Sequence, residues 1–410
     1  MSDHAAARRG EPDAGGALGE AVFSTLGDLK AVSLKVGQVL AQVADNLPDP
    51  ALQRLGRLFH EAPALPAEDV LKVLEAELGP GALGRFCTFE REPFAAASLG
   101  QVHRGTLSDG TPLAVKVQYP GVAEALEHDL DLLGGLASTV GAGGLLIDTG
   151  RYFRALREAT LAELDYRAEA ENLGRMAAAV ARWPDLVVPR AHAALSTGRV
   201  LSIDLLDGPT LHAVLDRPAP AEARNRLGLQ VIRAVLGPLF AAGLVNSDAH
   251  PGNFVVLGGD RLGLLDLGAL AAIPPRRVHG LAGLVSLLAE GPFREGDRVL
   301  EALAAAGFEI RLRPGRAREF AVDFARIVAP PFRGPYAFAD DPLLLRFARF
   351  KQERPLDFVR LRFDPALLPV FRALLGLHHA LRRLAVRADL RPLLRELTTL
   401  GGRVEAAEPP

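Results

Sequence analysis

A single cysteine, Cys87, leaves this 410-residue chain without an internal disulfide and without any cysteine-built metal cluster. Aromatic side chains are few, with one Trp and four Tyr, so the core must be packed mainly by Ala, Leu and Val, which favours many helices and little sheet. Excess charge of one sign is missing as well. The formal net charge is −2 and like charges never cluster into long blocks, so no footprint for DNA or RNA exists and no nucleic-acid partner is expected. Nor is there a transmembrane helix to be read. The most membrane-like stretch, 132–147, is broken by Gly134-Gly135 and Gly143-Gly144 and bounded by Asp131 and Asp148, which makes it a buried or interfacial helix. The first twenty residues mix Arg8 and Arg9 with Glu11 and Asp13, lack the apolar segment of a secretion signal, and read as a frayed tail. A cytoplasmic protein is the expectation.

What is present is 49% hydrophobic content, enough for a sizeable core in two lobes. Leu29, Val32, Val36, Val39, Leu40 and Val43 have the spacing of an amphipathic helix that Asn46-Leu47-Pro48-Asp49-Pro50 stops. A second helix is predicted over Ala67 to Leu78, between Pro66 and Gly79-Pro80-Gly81. From Phe86 to Tyr119 the texture turns β-branched, and Gln101 to Leu107 and Leu113 to Tyr119 read as a hairpin across Ser108-Asp109-Gly110-Thr111-Pro112. Helices are expected over Asp129 to Leu146 and Tyr152 to Ala181, then short strands at Val187-Val188-Pro189 and Arg199 to Leu205. Leu211 to Leu400 looks helical throughout, apart from one loop region between Asn246 and Asp266. The predicted organisation is a tail (1–20), a helical extension (21–85), a small sheet-containing lobe (86–206) and a larger helical lobe (207–410). Sheet first and helices second is the α+β order of a bilobal, kinase-like fold.

The chemistry concentrates in Asn246-Ser247-Asp248-Ala249-His250-Pro251-Gly252-Asn253 and, beyond a Gly-Gly-Asp turn, Leu265-Asp266-Leu267-Gly268. Asp and Asn five apart in a loop, with a second Asp after a hairpin, is a phosphotransferase arrangement. Asp248 would sit at the attacking oxygen, while Asn253 and Asp266 would hold magnesium. Alternation in Leu113-Ala114-Val115-Lys116-Val117-Gln118-Tyr119 turns Lys116 away from the apolar face, as in the Val-Ala-Ile-Lys pattern whose lysine reaches nucleotide phosphates. One strand earlier, where a glycine-rich phosphate loop belongs, stands Ala95-Ala96-Ala97-Ser98. Alanine β-carbons hold backbone amides away from phosphate and favour helical geometry, so the segment also reads as a plain helix start capped by Ser98, which is compatible with a place over the phosphates. His250 braces the loop by hydrogen bonds on this reading; no histidine spacing points to zinc.

Ala-Ala-Ala-Ser followed by Gly-Gln-Val-His resembles the UbiB (AarF-type) family of atypical kinases, which carries a Lys-x-Gly-Gln motif ahead of its kinase-like core, here Lys35-Val36-Gly37-Gln38. The family's Glu-x-Asp is similar to Glu163-Leu164-Asp165. The resemblance implies ATP and Mg2+ as ligands, with Ala95, Ala96, Ala97, Ser98, Lys116 and Glu169 around the nucleotide, Glu169 pairing Lys116. It also implies that Glu163 and Asp165 meet Lys35 and Gln38 as a lid over the site. On one regular helix Glu163 and Asp165 differ by about 200°, so both face one site only if the helix bends there. Four positions depart from the family pattern: Asn246 for His, Ala249 for Pro, Leu267 for Phe and Asp204 for Glu. They leave Asp248, Asn253 and Asp266 intact, so nucleotide competence is expected.

Three functions compete. The resemblance implies an atypical ATPase or kinase in isoprenoid-lipid or quinone metabolism, with a lipid or quinone precursor as partner and contact at the membrane periphery. An aminoglycoside- or choline-kinase-type phosphotransferase would share the Asp-x-His-Pro-Gly-Asn loop but not Lys-x-Gly-Gln. A pseudokinase would bind nucleotide without turnover.

Overall fold

The computed structural model describes residues 66–97, 99–128, 130–131, 157–158, 160–215 and 217–404. The helix expected from Leu29 with Lys35 and Gln38, the tail, Ser98 and the 132–147 stretch lie outside them.

Helix α1 (Ala67–Leu78) begins after Pro66 and ends at Gly79, whose φ of +91° a side chain would resist. Its buried face, Val70, Val73, Leu74 and Leu78, packs on Leu113, Val115 and Val117. Each such aliphatic contributes about 1.5–3 kcal/mol by leaving water. The three partners alternate along one strand of a five-stranded antiparallel sheet formed by β1 (Thr88–Phe89), β2 (Ala95–Ala97), β3 (Gly100–Thr106), β4 (Pro112–Gln118) and a later strand, β6. The β3–β4 hairpin runs in register from Thr106↔Pro112 to Gly100↔Gln118. Gly100 is obligatory at its end, because a β-carbon there would lie 2.1 Å from the Val117 carbonyl oxygen.

Helix α2 (Tyr166–Val180) follows, then β5 (Leu186–Val187) and β6 (Val200–Asp204), which pairs with β4. The expected uninterrupted helix from Tyr152 to Ala181 is corrected here: Glu163 and Leu164 form a turn and Asp165 caps α2. Two contacts break the helix. The Gln118 amide donates to the Leu164 carbonyl at 2.5 Å and the Tyr166 N–H donates to the Gly198 carbonyl at 3.0 Å, so backbone groups that would continue a helix are taken by the sheet. β5 leaves the sheet of its neighbours and pairs in parallel with β9.

The rest comprises α3 (Leu211–Leu215), α4 (Ala221–Ala242), β7 (Leu244–Asn246), β8 (Phe254–Leu257), β9 (Arg261–Leu264), β10 (Leu270–Ala272), α5 (Pro275–Glu290), α6 (Gly296–Ala306), β11 (Phe308–Ile310), α7 (Pro314–Val328), β12 (Pro335–Ala337), α8 (Leu343–Glu353), α9 (Pro355–Val359), β13 (Leu361–Phe363), α10 (Leu368–Arg383), β14 (Arg387–Asp389) and α11 (Arg391–Gly401). Around Val231, Ile232, Val235 and Leu239 of α4 the largest core draws in Leu173 and Met176 of α2, Leu377 of α10 and Leu397 of α11. The region read as helical apart from one loop also holds the paired three-residue strands β11–β13 and β12–β14, too short to leave a period in the sequence.

Candidate active site

Lys116 is central in the sheet, its backbone flanked by Val102 of β3 and Leu201 of β6, so the strand cannot shift without breaking two ladders. The face of β4 opposite α1 is covered too: Ala114 and Gln118 are buried beside it. The Lys116 ammonium donates to Glu169 Oε2 at 2.9 Å, lies 3.7 Å from Asp266 Oδ2, and sits 4.7 Å from the centroid of the Tyr166 ring. Burial alone would push its pKa down, but the carboxylates of Asp266 and Glu169 outweigh that and hold it well above the ordinary lysine value. Burial raises the Tyr166 phenol, whose oxygen has no hydrogen-bond partner.

Glu169 and Asn172 share a face of α2, three residues apart. While Glu169 holds Lys116, the Asn172 amide donates to the Leu267 carbonyl at 3.0 Å, so one helix face fixes both the lysine and the Asp266 segment. Leu267, at the position of a family Phe, is sunk in the main core. Asp266 itself has a φ of +49°, a left-handed conformation that Asp tolerates better than most side chains.

β7 delivers the loop that carries Asp248. The Asn246 amide donates to the Asp266 carbonyl at 3.0 Å, and its Oδ1 accepts the Asp248 N–H at 3.2 Å. Asn246, a departure in the sequence, therefore ties the two loops together. His250 Nδ1 accepts the Gly252 N–H at 3.0 Å and its ring stacks on His212. The Asn253 amide nitrogen donates to the Asp248 carbonyl at 3.0 Å, which leaves Oδ1 as its atom for a cation. Its carbonyl accepts the Leu265 N–H at 2.8 Å, and Phe254 pairs with Leu264, so Asn253 and Asp266 are neighbours at the mouth of the β8–β9 hairpin. Among the described residues no group of three or more His, Cys, Asp and Glu could hold a metal ion. An amide oxygen and one carboxylate suit Mg2+, a hard cation that takes its other ligands from phosphate and water.

The bend before α2 separates the two acids of Glu-x-Asp. Glu163 is buried and, with Leu99 and Gly268, closes tightly around Lys116, Tyr166, Glu169 and Asp266. Asp165 is not part of that cluster; its carboxylate accepts the Arg167 N–H at 3.0 Å as the cap of α2. Ala95, Ala96 and Ala97 form β2, paired Ala95↔Val102 to Ala97↔Gly100, with Ala95 and Ala96 exposed. They are a strand, so the helix start is corrected: β3 offers a free edge and its ladder overrides the helical preference of alanine. Within β3 of this hairpin Gln101 and His103 are buried and bonded to one another, and burial pulls the His103 pKa down. Asp204 accepts from the Arg190 N–H and pairs with His192 at 2.7 Å. Tyr166, Asn172 and Asn246 were not picked out by sequence reasoning as site residues; Asn172 stands one turn beyond Glu169, a signal that α2 faces the site twice.

Residues 57–295 match the ABC1 atypical kinase-like domain. The chain is 33% identical over 325 residues to atypical kinase COQ8B, mitochondrial, of Rattus norvegicus, across 78% of this chain and 60% of that protein. Against atypical kinase coq-8, mitochondrial, of Caenorhabditis elegans the identity is 28% over 340 residues, across 80% and 44%. The chain thus spans between two and three fifths of the length of these relatives. A solved Mycobacterium tuberculosis protein in complex with erythromycin superposes with a TM-score of 0.66 at 28% identity, across 93% of this chain and 96% of that one. Among the described residues no helix is long and apolar enough to cross a membrane. The family match takes in more than half of the chain, with Lys116, Glu169, Asp248, Asn253 and Asp266 inside it, and the chain therefore belongs to the ABC1 atypical kinase-like family, the UbiB group, and has the kinase-like fold.

Proposed function

We propose that the protein binds ATP with Mg2+ and transfers or hydrolyses its γ-phosphate, acting on a small acceptor of isoprenoid-lipid or quinone metabolism at the membrane periphery. The observation that carries this is the buried Lys116–Glu169 pair beside Asp266, with Asn253 presenting an amide oxygen next to it. Residues 86–206 form the nucleotide-covering lobe, residues 207–410 the lobe with Asp248, and residues 21–85 the extension whose Lys35 and Gln38 close over Glu163. Lys116 orients the phosphates, Asn253 and Asp266 hold the cation, and β2 covers the nucleotide. In the transfer step the acceptor oxygen bonds to the γ-phosphorus, the bond to the β,γ-bridging oxygen breaks with its electron pair leaving on ADP, and the acceptor proton passes to Asp248. Phosphate release with purified protein tests it. Magnesium-dependent ADP production that Asp248→Asn lowers roughly 100-fold or more supports the reading; no magnesium-dependent turnover in the wild type leaves a pseudokinase.

The Mycobacterium tuberculosis neighbour in complex with erythromycin favours a second reading, a bulky small molecule as acceptor. Stabilisation of the nucleotide-loaded protein by erythromycin on heating, with phosphorylated product by mass spectrometry, would select it.

A further inference from the structure

On the nucleotide side of the site the positive charge of Lys116 is already engaged by Glu169. The loop from Asp248 to Asn253 brings no lysine or arginine of its own, and His250 spends Nδ1 on the Gly252 N–H. Phosphoryl transfer spreads negative charge over the three equatorial oxygens of the moving group, and that charge is stabilised by a fixed cation. A cation does stand beside this loop, on an element 120 residues further along the chain. Helix α10 lies so close to it that a β-carbon on Gly376 would be 2.7 Å from the Ala249 carbonyl oxygen. Arg372 is one turn earlier on the same face, and helical side chains lean toward the N-terminus, away from Gly376 and past the neighbouring Asp248.

Arg372 is half-buried and its Nε is fully buried with no hydrogen-bond partner. Among the described residues it forms no ion pair. Burial pulls its pKa down, and the charge of Asp248 acts in the opposite direction, which places the two groups within electrostatic reach of one another. A guanidinium stays charged in a protein, so an unpaired, partly desolvated one costs stability. Arg277 shows the usual arrangement, its Nε bonded to Asp364 at 2.7 Å. A fork of donors held without an acceptor beside the catalytic carboxylate is matched in shape and charge to a phosphoryl group.

We propose that Arg372 binds phosphoryl oxygens beside Asp248, as an arginine supplied from the same chain. The proposal rests on the phosphotransfer reading of Asp248. The bound oxygens belong either to the γ-phosphoryl group in transfer or to a phosphate carried by the acceptor. Arg372 donates hydrogen bonds only and exchanges no proton in the step described above.

The test compares Arg372→Met and Arg372→Lys with wild type in heat stability, turnover and binding. Removing an unpaired charge should leave the apo melting temperature unchanged or raise it, while turnover falls roughly 100-fold or more, with partial rescue by lysine. A merely structural arginine would show the reverse, lower stability with turnover lost in proportion to folded protein. Affinity for a non-hydrolysable ATP analogue with magnesium should hold within a few fold. If Arg372→Met weakens ADP with magnesium and aluminium fluoride at least tenfold, the group held is the γ-phosphoryl. If it spares that complex but abolishes inorganic phosphate binding to the ADP-loaded protein, it is the acceptor's phosphate. No loss in either, or an equal loss for the ATP analogue, overturns the proposal. Arg372-dependent phosphate binding in a protein that fails to bind nucleotide would instead sink the nucleotide reading and leave this one standing.

Discussion

Replacing Glu169 by Gln perturbs one oxygen at the centre of the site. Lys116 and Glu169 side chains retain 13% and 5% of their exposure, so the pair counts as buried and water screens it little. Removing one partner of a buried pair costs about 3–5 kcal/mol when the other charge is stranded. Here Lys116 is not stranded, because Asp266 Oδ2 stands 3.7 Å away and the Gln oxygen still accepts a hydrogen bond. The expected loss is therefore smaller, roughly 2–3 kcal/mol. For a cooperative unit of this size that lowers the melting temperature by roughly 1–2 °C per kcal/mol. Lys116→Met should cost more, since it leaves the Glu169 and Asp266 carboxylates facing one another with no cation between. The double variant should be milder than the sum, with a coupling of about 1–3 kcal/mol in thermal or urea unfolding. Two single variants that melt with wild type, or costs that add without coupling, would refute the assignment of this pair as the electrostatic centre.

Ala95→Gly and Ala96→Gly should each lose about 0.5–1 kcal/mol of stability in β2 while tightening nucleotide binding, because closer amide contacts to phosphate gain about 1.5–3 kcal/mol per good bond. Calorimetric titration beside melting curves checks both halves; lower stability with unchanged affinity would remove β2 from the nucleotide. A pH series tests the buried imidazoles. Desolvation lowers the pKa values of His103 and His378, so the folded protein keeps them neutral while the unfolded chain protonates near the ordinary imidazole value of about 6.5. Their contribution is complete above that value and is lost as pH falls through it toward the folded pKa values, so the melting temperature should drop between about pH 7 and pH 5. A flat or rising profile there contradicts the burial.

Much of this was legible in the chain. Pro66 and Gly79-Pro80-Gly81 delimit α1 as they should, and Gly258-Gly259-Asp260 joins β8 to β9 with positive φ at Gly259 and Asp260. Local signals of that kind survive because a few backbone angles decide them. The bend at Glu163-Leu164-Asp165 was not legible, since Gln118 and Gly198 produce it from distant parts of the sequence. β2 was missed for a similar reason: alanine favours helix alone, and only the edge of β3 makes Ala95 to Ala97 a strand. Asn172 and Arg372 carry no motif; a helix face in one case and the close approach of Gly376 in the other bring them to the site.

The most direct measurement is calorimetric titration of ATP, with and without magnesium, into wild type, Asp266→Asn and Asp248→Asn. Asparagine tolerates the left-handed backbone of position 266, so the fold should survive and only the hard anionic oxygen is removed. Magnesium-dependent binding should weaken at least tenfold in Asp266→Asn, about 1.4 kcal/mol, and stay close to wild type in Asp248→Asn. Wild-type affinity in magnesium for Asp266→Asn, or equal losses in both variants, would contradict the division of the site into a cation ligand and a group at the attacking oxygen.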